Sequence, residues 1–250
     1  MPARLTGRTA LVTGSTDGIG AAIAATLAAE GAHVIVTGRD TAKGEKIVAG
    51  ITEAGGTATL VAADLASAAG VRDLADATRA IAGGAPDILV NNAAMLIAPG
   101  PTAEIGADLI DAALAVNIRA AILLTGLLAP EMAARGHGAI VNLGSINGLI
   151  GMAGSALYSA TKAAVHSLTK SWAAEYGPSG VRVNTVAPGP TATEKTAAFA
   201  DRIAPILDRT PSRRANGPEE VANAVAFLAS DEASSVHGAT LSVDGGLSAV

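Results

Sequence analysis

The sequence predicts an α/β protein built on a doubly wound parallel sheet of about seven strands, with helices on both faces. Short apolar, strand-like runs alternate with longer helical stretches along the whole chain, the order in which parallel strands are joined by crossover helices. Half of the 250 residues are hydrophobic, enough to bury a substantial core. No linker-like segment, internal repeat or low-complexity run divides the chain, so residues 1–250 read as one domain.

Taken in order, Arg8 to Thr13 (R-T-A-L-V-T) reads as a short buried strand. Gly14, Gly18 and Gly20 follow in T-G-S-T-D-G-I-G, and an Ala-rich helical run then extends to Glu30, where Gly31 stops it. Strand, glycine turn and helix form the βα arrangement in which helix N-terminal amides receive a pyrophosphate. Gly14 permits the tight turn, Gly18 lets backbone approach the phosphates, and Gly20 lets the helix pack against the strand. A second strand at His33 to Thr37 supplies the context such a glycine pattern requires. Further strands are expected near 57–62, 87–91, 138–143, 181–187 and 239–243, with the longer helices near 103–134 and 155–177. Aromatic residues are only 2%, so core packing falls mainly to Ala, Val, Leu and Ile.

The end of the second strand, V-I-V-T-G-R-D, bears on which nicotinamide dinucleotide is bound. An acid there would accept hydrogen bonds from the ribose 2′-hydroxyl of NAD, and a nearby Arg suits the 2′-phosphate of NADP. Gly38 occupies the acid position and Arg39 follows, which favours NADP over NAD. Two residues cut the other way. Asp40 could compete for the guanidinium, and Asp17 sits in the glycine loop where a basic residue would help.

Farther along, Tyr158 precedes Lys162 by four residues in Y-S-A-T-K, and Ser145 lies thirteen residues upstream. Four residues is about one helical turn, so phenol and ammonium share a helix face. A nearby cation favours phenolate and lowers the tyrosine pKa from about 10 toward working pH, as a general acid/base for an alkoxide needs. These are the parts of a carbonyl–alcohol proton-transfer site.

With both ends of the site assembled, the chain resembles the short-chain dehydrogenase/reductase family over essentially its whole length. The family's glycine motif appears as Thr13 to Gly20, which carries Ser15, Asp17 and Ile19 into the cofactor site. Its strand-three acid appears as Asp64, followed by Leu65, in A-A-D-L. Its N-N-A-G segment appears as Asn91, Asn92, Ala93 and Ala94, with Ala94 replacing the last glycine. Its catalytic tetrad maps onto Asn117, Ser145, Tyr158 and Lys162, and its P-G turn onto Pro188 and Gly189, followed by Thr191 and Thr193. The closing S-V-D-G-G is Ser242 to Gly246.

The resemblance implies a Rossmann-type fold and an NADP- or NAD-dependent oxidoreductase acting on a ketone or secondary alcohol. Ser145 would hold the substrate oxygen, and Tyr158 would exchange the proton. Lys162 would lower the Tyr158 pKa and bind the nicotinamide ribose, and Asn117 would anchor a water linking Lys162 to solvent. A cofactor-binding sensor without turnover is the contrasting class, and the intact set of four argues against it. A glycine at the Ala94 position would permit positive φ or close approach to the cofactor, so this departure bears on the site.

By the same resemblance the substrate pocket draws on three segments, the last being the loops at about 188–215. They supply Met95, Leu96 and Ile97, then Asn147, Leu149 and Met152, then Thr191, Glu194 and the run toward Arg214. The first two segments carry no Arg, Lys or His, so a neutral, moderately apolar substrate fits better than an anion. Reductases of 3-oxoacyl thioesters on acyl carrier protein, and sugar or polyol dehydrogenases using NAD, remain alternatives. The carrier-protein reading is weakened by Pro130 and Ala174, which stand where basic docking residues are expected.

A net charge of −5 argues against nucleic acid as principal partner. The absence of cysteine excludes disulfides and thiol chemistry. His33, His137, His166 and His237 lack metal-ligand spacing and read as structural or exposed, so no metal is expected. No apolar stretch reads as long and uncharged enough to span a membrane, and a strand starting by residue 8 leaves no room for a signal peptide, so the expected location is cytoplasmic. The Ala-rich long helices, for example Ala112 to Ala129, together with the resemblance, imply a homotetramer.

Overall fold

The computed structural model describes residues 3–250. Its seven strands are β1 (Thr9–Val12), β2 (His33–Gly38), β3 (Thr57–Ala62), β4 (Ile88–Asn91), β5 (Gly138–Leu143), β6 (Val181–Pro188) and β7 (Thr240–Val243). They form one sheet in the order β3-β2-β1-β4-β5-β6-β7, and every pairing is parallel. The strand order reverses between β1 and β4, and in such sheets ligands bind beyond the carboxyl ends of the strands at that crevice.

Side-chain alternation along each strand divides the core in two. On one face α1 (Gly18–Ala29), α2 (Thr41–Glu53) and α9 (Pro218–Ala229) bury Ile23, Leu27, Ile51, Val221 and Val225 against Val12, Val34, Val90 and Val141. On the other, α3 (Ala68–Ala82), α5 (Ala120–Arg135) and α6 (Ala156–Tyr176) bury Leu74, Leu124, Leu128 and Met132 against Leu11, Ile35, Leu89 and Ile140. Strand interiors that meet apolar partners on both sides read as continuous apolar runs, the signal that located them in the sequence.

The helix expected over 103–134 is not one regular helix. A 3₁₀ turn (Thr102–Glu104) precedes α4 (Ala107–Leu114), a π-turn (Ala115–Arg119) follows, and only then does α5 begin. At the π-turn the N–H of Ala120 reaches back to the carbonyl of Ala115, one residue farther than in an α-helix. The cause is tertiary: Asn117, in the widened turn, is buried and bonded to chain leaving β4.

One expectation is corrected here. The continuous helical run Ala107–Arg135 does have the length and apolar composition of a membrane span. In this fold its Leu124, Leu128 and Met132 are fully buried against the sheet, so a core helix accounts for that composition. Short segments complete the layer over the strand ends: α7 (Glu194–Ala197) and α8 (Ala200–Leu207) lie between β6 and α9. The carbonyls that end α9 are capped by the buried guanidinium of Arg182 on β6, which donates to Leu228, Ala229, Ser230 and Ala233.

Candidate active site

Strand β5 ends at Leu143, and the chain continues through Gly144 to Ser145. Helix α6 packs across this end and presents Tyr158, Lys162 and His166, each one turn after the last. The Lys162 ammonium donates to the carbonyl of Leu143 at 2.7 Å and lies 5.7 Å from the centre of the Tyr158 ring. The backbone N–H of Ser145 donates to Nε2 of His166 at 3.3 Å, and the Ser145 hydroxyl accepts from the N–H of Asn147 at 3.2 Å. Three of the four sequence-predicted catalytic residues thus meet at one strand end.

Burial pushes the Tyr158 phenol above its ordinary value, and the neighbouring Ser145 hydroxyl offsets part of that rise. Burial lowers the Lys162 ammonium to about 8. The expectation that Lys162 lowers the tyrosine pKa is therefore not met in this arrangement. The ammonium is directed at Leu143, and burial is the largest influence on the phenol.

Asn117 completes the set from the other side. Its Oδ1 accepts from the N–H of Met95 at 2.6 Å, and its Nδ2 donates to the Met95 carbonyl at 3.3 Å and to Thr161 Oγ1 at 3.2 Å. The side chain ties the π-turn to α6 and to the segment after β4. Asn117 and Lys162 both line a small internal chamber, which has room for a single water. Asn91 faces the same chamber, where its Nδ2 donates to Asn142 Oδ1 at 2.8 Å. Its side chain points inward, away from the cofactor groove where it was expected.

An open groove of about 660 Å³ runs from the glycine loop to Tyr158, a volume in the range of small-molecule and cofactor sites. Gly14, Asp17, Gly18, Ile19, Gly20, Arg39, Asp64, Leu65, Ala93, Tyr158 and Thr193 line it, as the sequence predicted. A side chain on Gly20 would run into the carbonyl of Gly14 and, at 2.5 Å, Nδ2 of Asn92. Gly14 has φ +63° and would strike Ala93 at 2.9 Å. These absences of side chain bring backbone to the groove wall, so the residues present fit a dinucleotide. Ala94 lines the groove and carries no backbone strain, because Arg213 is the one non-glycine residue with positive φ among the described residues.

Several expected cofactor residues sit elsewhere. Ser15 is fully buried, its hydroxyl bonded to the Val12 carbonyl and to the Thr37 N–H, so it fastens the loop to β2. Pro188 ends β6 in the core, Gly189 packs on Asp244, and Thr191 is buried with its hydroxyl on the Gly189 carbonyl. Of the expected substrate residues, Met95 lines the groove, and Asn147 donates to Ser155 Oγ at 2.9 Å. Met152 is half-buried in the turn before α6, and Glu194 is exposed at the start of α7.

Sequence reasoning missed Thr16, Lys43 and Thr196 in the groove wall, which Lys195 also lines. It also missed Asn92, whose Nδ2 holds the carbonyls of Thr13 and Gly14 at 2.8 and 2.9 Å. Lys43 carried a signal, since it lies one turn into the helix that follows Arg39. The two acids that weighed against a phosphate are engaged: Asp40 caps α2 through the N–H of Lys43 at 3.0 Å, and Asp17 pairs with Lys195 at 2.9 Å. Gly38 has its own reason, because a side chain there would meet Thr16 at 2.5 Å.

Comparison with known proteins bears on this geometry. A family model described as enoyl-(acyl carrier protein) reductase matches residues 14–248. The cis-4-hydroxycyclohexanecarboxylate dehydrogenase of Sinomonas cyclohexanicum is 43% identical over 97% of this chain and 97% of its own. The 3-oxoacyl-[acyl-carrier-protein] reductase FabG of Escherichia coli (strain K12) is 38% identical, covering 96% and 97%. A solved structure from Beutenbergia cavernae, described as a candidate NAD(P)-dependent gluconate 5-dehydrogenase with NADP bound at low occupancy, is 41% identical with a TM-score of 0.94 over 100% of both chains.

Proposed function

The chain belongs to the short-chain dehydrogenase/reductase family, and from that premise we propose an NADP-preferring enzyme that interconverts a neutral ketone and its secondary alcohol, with Tyr158 as general acid/base. Members of this family are oxidoreductases acting on CH–OH and C=O groups with a nicotinamide cofactor. The observation that carries the reading is the position of Tyr158. It lines both the 660 Å³ groove and an adjoining cavity of about 190 Å³, so it stands where cofactor and substrate would meet.

When bound, the nicotinamide supplies or accepts the hydride. The protein's part is to place a carbonyl oxygen and move one proton. Ser145 Oγ donates to the substrate oxygen and fixes the carbonyl carbon. Tyr158 gives its proton to that oxygen in reduction and takes it back in oxidation. Lys162 would hold the ribose hydroxyls of the bound cofactor and favour the phenolate through its charge. Asn117 anchors the water through which Lys162 exchanges protons with solvent.

Preference for NADP rests on Arg39 and Lys43 in the groove wall, with Asp40 and Asp17 already committed to other partners. Preference for a neutral substrate rests on the side cavity, lined by Ile97, Ile105, Leu109 and Leu157 with Glu104 as its one charged residue. A carboxylate there would meet like charge. Cytoplasmic location and assembly as a homotetramer belong to the same proposal. Leu114 and Ile122 offer apolar surface on the long helix for assembly, and sedimentation at the mass of one chain removes that part of it.

The test is oxidation of NADPH and NADH by the purified protein against neutral cyclic ketones, keto sugars, keto acids and 3-oxoacyl thioesters. Turnover of a neutral ketone with NADPH is the expected result. Preference for NADH, or for a keto acid, overturns the corresponding half of the proposal.

A further inference from the structure

Helix α6 carries a third polar residue on the face of Tyr158 and Lys162, one turn beyond the lysine. His166 is buried, and its Nε2 accepts the backbone N–H of Ser145 at 3.3 Å. A nitrogen that accepts has no proton, so the imidazole is neutral with its hydrogen on Nδ1, which lies 3.4 Å from Thr240 Oγ1 on β7. The ring presses on the strand end: a side chain at Gly144 would collide with His166 Nε2 and meet Thr185 at 2.7 Å. Glycine before Ser145 and histidine on α6 are therefore parts of one arrangement.

We infer that His166 is a positioning residue that holds Ser145 in place against Tyr158, and that it does so only while its imidazole is neutral. The inference rests on the assignment of Ser145 and Tyr158 to proton transfer made above. A second proton on His166 would set an N–H donor against the Ser145 N–H and break the contact. The backbone at Ser145 favours that proton, and burial opposes it more strongly. The charged groups acting on His166 are Lys162 and Lys170 of its own helix, and the other strands packed on it present the uncharged Ser145, Thr185 and Thr240. Burial, the larger influence, and the two lysines hold the imidazole below its ordinary value of 6.5. Loss of the Ser145 contact then falls on the acid side of neutrality, as a limb in the pH profile of kcat.

The experiment pairs NMR with kinetics on the whole protein and on His166→Gln and His166→Leu. In the unsubstituted protein the backbone amide of Ser145 is expected to shift with the His166 titration, with or without turnover. His166→Gln, whose amide oxygen can accept at the Nε2 position without titrating, is expected to keep kcat near neutral pH and to lose the acid limb. His166→Leu is expected to lose about tenfold to a hundredfold in kcat through misplacement of Ser145, with affinity for NADPH, followed by its fluorescence, unchanged.

A Ser145 amide indifferent to His166 titration overturns the inference. So does an acid limb that persists in His166→Gln, or a folded His166→Leu with full kcat. Coupling of the amide to His166 in a protein that reduces no carbonyl would instead sustain the positioning contact and sink the reading of the reaction.

Discussion

The Lys162 ammonium donates to the carbonyl of Leu143 at 2.7 Å from a fully buried position, and among the described residues no carboxylate pairs with it. A charge held this way costs stability that the fold must offset elsewhere. Such a cost is tolerable at a site where the same charge has a second task.

The cost has a pH signature. The folded protein binds the Lys162 proton with a pKa of about 8 against an ordinary 10.5, so between those values the unfolded chain holds more protons. Stability therefore rises with pH from about 8 to 10, and the whole window is worth about 3 kcal/mol. Urea unfolding at a series of pH values should show this rise in the natural sequence and lose it in Lys162→Met. Equal slopes in the two proteins would show that the amine is solvated.

Tyr158→Phe removes the proton and leaves the ring. Turnover is expected to fall by about 10²–10⁴, the usual contribution of a general acid/base, while NADPH affinity stays nearly unchanged. Retention of full activity in that variant ends the assignment of Tyr158.

Arg39→Ala tests the cofactor half. One charge-assisted contact to a 2′-phosphate is worth about 1.5–3 kcal/mol, so NADPH affinity should fall by about tenfold to a hundredfold. NADH affinity should hardly move. A parallel loss for both cofactors, measured by fluorescence titration, would mean that Arg39 meets the adenine and not a phosphate.

Arg182→Leu leaves the last carbonyls of α9 without their donor in a buried setting. Unsatisfied buried acceptors cost about 1–3 kcal/mol each, partly offset by removing a buried charge. Denaturant unfolding should report a net loss of about 2–4 kcal/mol with the fold retained. An unchanged midpoint would show that water reaches those carbonyls.

Periodicity in the chain was sufficient for the seven strands and for α1 and α6, because strands buried on both faces and helices with one buried stripe leave different spacings of apolar residues. The long helix shows where that reasoning stops. Nothing in the apolar pattern of 103–134 marks the π-turn, since what opens it is the bond from Asn117 to Met95, a residue 22 positions away. The membrane-like composition of the same run has a matching explanation: its apolar residues meet the sheet, and spacing alone does not say what they meet.

At the candidate site, sequence alone was enough to pick out most of the residues that line it. Glycines at a βα junction, Arg39 after a strand, and Tyr158 and Lys162 one turn apart are local patterns, and local backbone geometry sets the direction of such side chains. Which neighbours those side chains meet depended on the fold. It turned Ser15 and Asn91 inward, drew Lys43 and Lys195 into the groove, gave Asp40 and Asp17 to other partners, and set His166 behind Ser145. The reason is physical: burial, hydrogen-bond partners and shifted pKa values arise from contacts between distant segments, and no spacing in the chain encodes those distances.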